Sequence, residues 1–464
     1  MFEPQKLIDQ VRQRLSLEID RNPPWANRLY TLTLSLPELR LQRLLLSRQR
    51  WFYWGKPANE EYRLGIGEAL RIDAKGPSRL QQLSAAFRKI TTNWDRYDPD
   101  DTHSEPVIFT GFAFSPDDPM HESWQGLPNA GLFLPTILLQ QTGNHCSLTC
   151  TYQSSSEVDH NKLIEEWMAL FGPLIKAMAL PSGPPGHRTK LPLRDSEPSR
   201  DAWIQRVEQT IQEIDKGLLE KAVLARRIRV QAERQLNPAR LISTLDCLYP
   251  DSMLFATGQN HQTFVAATPE RLLSCMNSEI ISDAVAGTAP RAADEEKDRQ
   301  LGQALLRAPK TQHEHQLVVD TIQTALRNIC VTLQPTQRPK LKRLRGLQHL
   351  WTKVRGELKP GTDLFQAAAK LHPSAAVNGA PVQQAHSWLQ SNESLARGWY
   401  TGAAGWIDAN GNGELAVLIR CVQLKGRDAE LYAGAGITAE SDPQAEYEET
   451  ELKFAAMLEA LENA

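Results

Sequence analysis

The hexapeptide Asp408–Gly413, DANGNG, lies between two apolar runs, WYTGAAGWI and ELAVLIRCV. Asn-Gly steps between such runs signal a tight hairpin, because they accept the positive φ that the turn demands. The flanking strands must then be antiparallel. The same style recurs along the chain in WFYWGKP, the segment around GIGEALRI, VIFTGFAFSP, GLFLPTILLQQ and HCSLTCTYQ, and later in KAVLARRIRV, MLFATG, TFVAATPERLLSC, EIISDAVAGTAPR and HLWTKVRGEL. Aromatic and β-branched runs broken by glycine and proline read as successive antiparallel strands, not βαβ units. Helices intervene without strict alternation. One carries Trp203, Val207, Ile211 and Ile214 at helical spacing and ends at Gly217, and a charged one over 294–307 is broken by Pro309. This mixture predicts an α+β fold with mostly antiparallel sheets.

Two helices carry acids in informative places. In TQHEHQLVVDTIQTALRNI the apolar stripe is Val318, Ile322, Ala325 and Ile329, and stepping back four residues from Val318 reaches Glu314. A carboxylate on that inward line is favoured by the helix N-terminus but needs a partner, for which a metal is one candidate. The stretch from Glu430 to Met457 reads as a strand, a glycine turn at Gly434 and Gly436, and a helix. Ser441 with Gln444 has the form of a capping box and Pro443 suits the first turn, so the helix is predicted to start near Asp442. Tyr447, Phe454, Leu458 and Leu461 form its apolar stripe, with Glu446, Glu449 and Lys453 on a neighbouring face.

Glu449 and Lys453 alone would make an ordinary i,i+4 pair on a solvated face. Backbone N–H groups in a glycine turn can hold an anion, however, and a carboxylate held beside Glu446 and Glu449 needs a cation. Gly434, Gly436 and Ala439 also fit a relaxed dinucleotide-binding pattern. That motif requires a second parallel strand ending in an acid about 20 residues on, for which the sequence to Ala464 leaves no room.

A net charge of −3 gives no nucleic-acid or membrane surface, and no run of about 20 apolar residues suggests a membrane span. The N-terminus, MFEPQKLIDQVRQRL, lacks the apolar core of a signal peptide, and residues 1 to about 50 are predicted to be helical and basic. Cys146 and Cys150 read as small core residues, and the scattered cysteines suit a reduced, cytoplasmic or equivalent organelle compartment. Residues 180–200, rich in proline, glycine and charge, form the one linker.

Seven segments occur in order: KAVLARR, ATPERL, AGTAPR, HEHQLVV, LHPSAAVNGAP, AGAGITAESDP and EYEET. In combination they resemble the chorismate-utilising enzymes, which include anthranilate, aminodeoxychorismate, salicylate and isochorismate synthases. The resemblance runs from about 200 to 460, with FTGFAFSP extending it weakly upstream. It implies two large, mostly antiparallel sheets packed orthogonally, ringed by helices, with the site in the cleft between them. Residues 200–464 would be the chorismate-binding catalytic region, and residues 1–185 a variable half adding strands to the same body.

By the same resemblance, Glu314 and Glu449 bind Mg²⁺ directly, with Glu446 nearby through water. Magnesium suits such a site, since it takes oxygen ligands and keeps several waters. Gly434, Gly436, Lys453, Tyr400 and Arg420 would hold the substrate's carboxylates, with Gly287 and Thr288 near the ring carboxylate and His349 near the ring or the metal. Arg420 lies in the apolar run LAVLIRCV, where an unpaired guanidinium is expensive, so an anion must be near it.

Isochorismate formation adds water at ring C2 as the C4 hydroxyl leaves, which calls for a base and an acid. Motif position makes Lys221 the base and Glu270 the acid. A lysine is a base near neutrality only where burial or positive charge lowers its proton affinity, and the acid needs the opposite shift.

The resemblance also separates the relatives. Anthranilate synthases generally lack the lysine at 221, and Ala286 stands where aminodeoxychorismate synthases carry an attacking lysine. His372, Pro373, Ala376 and Val377 look like the isochorismate synthase version of the loop, and a salicylate synthase is the alternative. Ala289, Asn378 and Ala380 depart from the family pattern, the first where the relatives often carry an arginine and the others in a way that bears on loop packing. The expectation is a monomer that needs no amidotransferase subunit, with its product entering a quinone, siderophore or salicylate pathway.

Overall fold

The computed structural model describes residues 3–25, 27–41, 49–153, 159–178 and 188–464. Among these residues thirteen strands form one sheet and ten form a second. Pairing is antiparallel apart from Leu29–Leu36, which runs parallel to Trp94–Tyr97. The DANGNG turn joins Ala403–Asp408 to Gly413–Val417 as an antiparallel hairpin. Its Asp408 carboxylate accepts from the backbone N–H groups of Asn410 and Asn412, which fixes the turn.

Both sheets draw on both halves of the chain. Trp51–Lys56 lies between Met253–Gln259 and Glu61–Ile66 in the first sheet. Val107–Phe112 lies between Ala403–Asp408 and Ala130–Leu134 in the second. The facing sides of the sheets meet in an aromatic layer, where Phe52 stacks on Phe109 at 5.3 Å and packs on Phe133 at 4.6 Å. Burying each such ring contributes on the order of 2–3 kcal/mol.

Helices Pro4–Arg21, His160–Met178, Pro238–Leu248 and Pro443–Glu462 share a core with the other side of the first sheet. Helices Arg79–Thr92, Pro309–Arg327 and Leu364–Leu371 do so with the second. The order of layers is therefore helix, sheet, sheet, helix.

Several expectations need correction. The N-terminal helix stops at Arg21 and the chain then forms a strand at Leu29–Leu36, where alternating Leu and Thr favour the extended state. The basic run beyond it falls partly at 42–48, outside the described residues. Of the 180–200 linker, 180–187 also lie outside them, but Leu193–Glu197 is an edge strand on Lys221–Gln231. TFVAATPERLLSC is two strands, Gln262–Thr268 and Arg271–Met276, which belong to different sheets. Pro269 has no N–H to give a ladder, and the chain changes sheet there. Cys146 and Cys150 are buried and free, as small core residues should be.

Candidate active site

The chain passes between the sheets at two adjacent places. Pro269 and Glu270 link Gln262–Thr268 in the first sheet to Arg271–Met276 in the second. Leu418 to Arg420 return from Gly413–Val417 in the second sheet to Cys421–Lys425 in the first. The crossings brace each other, since Val417 N–H donates to the Glu270 carbonyl (3.0 Å) and Ala267 N–H to that of Arg420 (3.1 Å). Arg420 is thus not inside a strand. Its backbone sits at φ 51°, a left-handed conformation that non-glycine residues keep only where the surroundings impose it.

The Glu270 side chain is buried beside the cavity. Burial, reinforced by the nearby charge of Asp283, pushes its carboxyl up to about 8, so it holds its proton at neutral pH. Arg420 Nη2 donates to His349 Nε2 at 3.0 Å, and His349 Nδ1 lies 3.2 Å from the Gly287 carbonyl. Burial and the Arg420 charge hold the imidazole well below its usual range. His349 is therefore neutral, with the Nδ1–H tautomer fixed by these partners.

Lys221 opens strand Lys221–Gln231 and is buried, with Nζ 2.8 Å from Glu314 Oε1. Despite its burial, Glu314 is held below the usual carboxylate range by the positive charges of Lys221, Lys453 and Lys310. The helix phase that placed Glu314 inward is correct near the N-terminus, although Leu326 takes the buried position expected of Ala325 and Ile329.

Gly434 and Gly436 are not in a turn. They lie in strand Asp428–Ile437, opposite Ala225 and Val223. Cys421–Lys425 covers the other edge of that strand only as far as Tyr432. Beyond it the Gly434 carbonyl accepts from Lys453 Nζ at 2.7 Å, and the N–H of the same residue points to the same side. Glycine is required for close approach: a Cβ at 434 would meet the Leu224 carbonyl at 2.5 Å, and one at 436 would meet Lys221 Cε at 2.6 Å.

Helix Pro443–Glu462 begins as expected, but Asp442 is its cap, accepting from Ala445 N–H. The Ser441–Gln444 box does not form, because the Ser441 hydroxyl donates to Glu446 at 2.7 Å. Glu446 lies on the buried line with Thr450, Phe454, Met457 and Leu461, while Tyr447 and Leu458 are only partly buried. Burial and the neighbouring charge of Glu449 raise its carboxyl to about 7. Lys453 pairs with Glu449 at 2.7 Å.

Gly287 is a bulge within strand Glu279–Pro290, at φ 73°, and brings Thr288 opposite His349. Ala376 and Val377 sit in the loop after helix Leu364–Leu371, whose end is tied to Lys221 through Gly379 and Ala380. Asn378 is buried and donates to the Val382 carbonyl, which ties the loop to the start of helix Val382–Asn392. Tyr400 stacks on Tyr432, and burial keeps its phenol protonated.

One cavity of about 240 Å³ collects these side chains: Lys221, Glu270, Gly287, Thr288, Glu314, His349, Ala376, Val377, Tyr400, Arg420, Gly434, Gly436, Glu446, Glu449 and Lys453 all line it. Lys310, Thr311, Thr401 and Tyr432 line it as well and were not anticipated. Lys310 looks like a solvated first-turn lysine in sequence, and only the fold turns it toward Glu446, 4.0 Å away. Among the described residues no three His, Cys, Asp or Glu side chains are gathered as a ready metal cluster. Glu314 is engaged by Lys221, Glu446 by Ser441 and Glu449 by Lys453. The donor set is nonetheless all oxygen, and the crowding that raises Glu446 is what a hard divalent cation relieves.

Residues 25–462 match the family described as chorismate binding enzyme. The chain belongs to that family. Within it, the sequence is 30% identical over 424 residues to isochorismate synthase MenF of Bacillus subtilis (strain 168), covering 88% of this chain and 87% of that one. It is 33% identical over 413 residues to the salicylate biosynthesis isochorismate synthase of Pseudomonas aeruginosa, covering 88% and 84%. The fold superposes on MenF, the menaquinone-specific isochorismate synthase from Escherichia coli, with a TM-score of 0.81 and 25% identity over 98% of this chain and 99% of that chain. Anthranilate synthase component I from Streptococcus pneumoniae TIGR4 shares the fold of this chorismate-binding enzyme at a TM-score of 0.68 and 21% identity, over 86% and 92% of the two chains.

Proposed function

We propose that this chain is an isochorismate synthase, which adds water at C2 of chorismate as the C4 hydroxyl departs. The observation that carries the reading is the pairing of opposite chemistries in one cavity. Lys221 opens a strand of the first sheet and Glu270 stands on the crossing between the sheets, and burial keeps Glu270 protonated to about pH 8. In its neutral amine form Lys221 takes the proton of the attacking water, and Glu270 gives its proton to the leaving hydroxyl. A base and an acid on separate elements suit a reaction that forms one bond and breaks another at separate ring carbons.

Arg420 and Tyr400 receive one substrate carboxylate, with Arg420 oriented by neutral His349. The Gly434 and Gly436 edge, Lys453 and the Gly287–Thr288 bulge receive the other. Ala376 and Val377 close an apolar wall against the ring. Glu314, Glu449 and Glu446 would hold Mg²⁺, which when bound supplies countercharge to the ring carboxylate. Among the described residues no helix is long and apolar enough to cross a membrane. The working unit is one chain in the cytoplasm or an equivalent compartment, active with water alone and without ammonia or an amidotransferase.

The test is incubation with chorismate, with and without a chelator, followed by chromatography. Isochorismate is expected, and its formation should stop on chelation. Salicylate plus pyruvate in its place would overturn the product assignment. Lys221→Ala is expected to bind chorismate and not turn it over, and an active variant would remove Lys221 from the mechanism.

A further inference from the structure

Near Glu270, outside the cavity lining, lies a second acid that the mechanism above does not use. Asp283 is in strand Glu279–Pro290, one strand over from the segment that Glu270 opens, and is 5% exposed. Among the described residues its Oδ1 has no hydrogen-bond partner. Its Oδ2 lies 3.9 Å from Lys342 Nζ, and the same ammonium donates to the carbonyl of Pro269, the residue before Glu270. A buried carboxylate with one oxygen unsatisfied is destabilising unless its charge is used. The lysine in turn clips the crossing on which Glu270 rides.

We propose that Asp283 and Lys342 are positioning residues for the proton-donating Glu270: the aspartate keeps its proton on, and the lysine fixes the crossing and tempers that effect. The inference rests on the acid role given to Glu270. The charges that face Glu270 are Asp283 from strand Glu279–Pro290, Lys342 from strand Lys340–Arg343, Lys221 from strand Lys221–Gln231 and Lys453 from the terminal helix. Asp283 alone among them opposes ionisation of Glu270. Arg271, beside Glu270, is committed to Glu414 at 2.7 Å.

The test is the pH dependence of kcat/KM for chorismate, whose alkaline limb reports loss of the Glu270 proton. Asp283→Asn removes a negative neighbour, so Glu270 ionises earlier and the limb moves down by on the order of one pH unit. Lys342→Met removes a positive neighbour, and the limb moves up. A merely structural role would change rates in both variants without displacing the limb in opposite directions. Lys342 is partly exposed and gives the test by itself if Asp283→Asn does not fold. Unmoved limbs, with Glu270→Gln inactive, would overturn the inference alone. Wild-type turnover by Glu270→Gln would overturn the acid assignment and the inference with it.

Discussion

Gly436 marks how little room the cavity wall leaves, since an added methyl group would sit 2.6 Å from Lys221 Cε and 3.2 Å from Glu314 Oε1. Gly436→Ala is expected to lower kcat by about a hundredfold, the usual consequence of misplacing a reacting group by an ångström. The melting temperature should change little, because the displaced atoms belong to the end of a long side chain. Glu270 carries a second expectation, for stability. Its folded carboxyl titrates near 8 against about 4.3 for a free glutamate. Its contribution is therefore fully present below the unfolded value and lost as pH rises through 8. Glu270→Gln should melt above wild type at pH 8 and lose that advantage toward pH 4.5, as followed by thermal denaturation across pH. Of these positions Glu314 was legible from helix phase alone, whereas Lys221 and Glu270 needed their motifs, since a strand-opening lysine and a glutamate after proline look like surface residues. The signal for Asp283 was there and went unused: an acid inside the strand EIISDAVAG, surrounded by residues that belong in a core.

One arginine adds a polar tie between the terminal helix and the first sheet. Arg226, from the strand that Lys221 opens, donates to Thr450 and Glu451 at 2.7 Å and to Tyr447 OH at 3.0 Å, with its guanidinium 4.0 Å over the Tyr447 ring. These contacts lie one turn from Glu446, Glu449 and Lys453. Arg226→Leu is expected to remove about 2 kcal/mol of stability in denaturant titration, since Thr450 and Tyr447 lose a charged hydrogen-bond donor, and to weaken Mg²⁺ binding in calorimetry. The helix itself was readable from Pro443 and the sequence around it. Its cap was not, because Ser441 and Asp442 are both good caps and the choice fell to Glu446, which claims the serine hydroxyl. The glycines before it were legible as special but not as strand residues. Their spacing looks like a turn, and only the approach of Lys221 and Tyr400 explains them.

At the scale of the molecule, the interleaving of the two halves means that residues 200–464 expressed alone would expose the strand Met253–Gln259, stripped of Trp51–Lys56, and Ala403–Asp408, stripped of Val107–Phe112. Open apolar edges of this kind aggregate, so the fragment is expected in the insoluble fraction, while the full chain remains in the supernatant. Mg²⁺ at a hundredfold excess over its Kd should stabilise the whole chain by about 2.7 kcal/mol, a thermal shift that a chelator reverses and Glu449→Ala abolishes. Antiparallel pairing was legible throughout from short apolar runs and DANGNG, but which strands join which sheet was not. That choice is made by long-range contacts such as Phe52 on Phe109 and by the break at Pro269. The twin crossings that carry Glu270 and Arg420 have a mechanical corollary. Shearing one sheet past the other would rupture the Val417 and Ala267 rivets and part Glu270 from Arg420, so the vault keeps its shape only while its two walls move together. Lys310 on the cavity lining is held more loosely: its ammonium reaches the Glu440 carbonyl at 3.2 Å and, being partly exposed, can swing on the fast timescale of surface side chains without disturbing those walls.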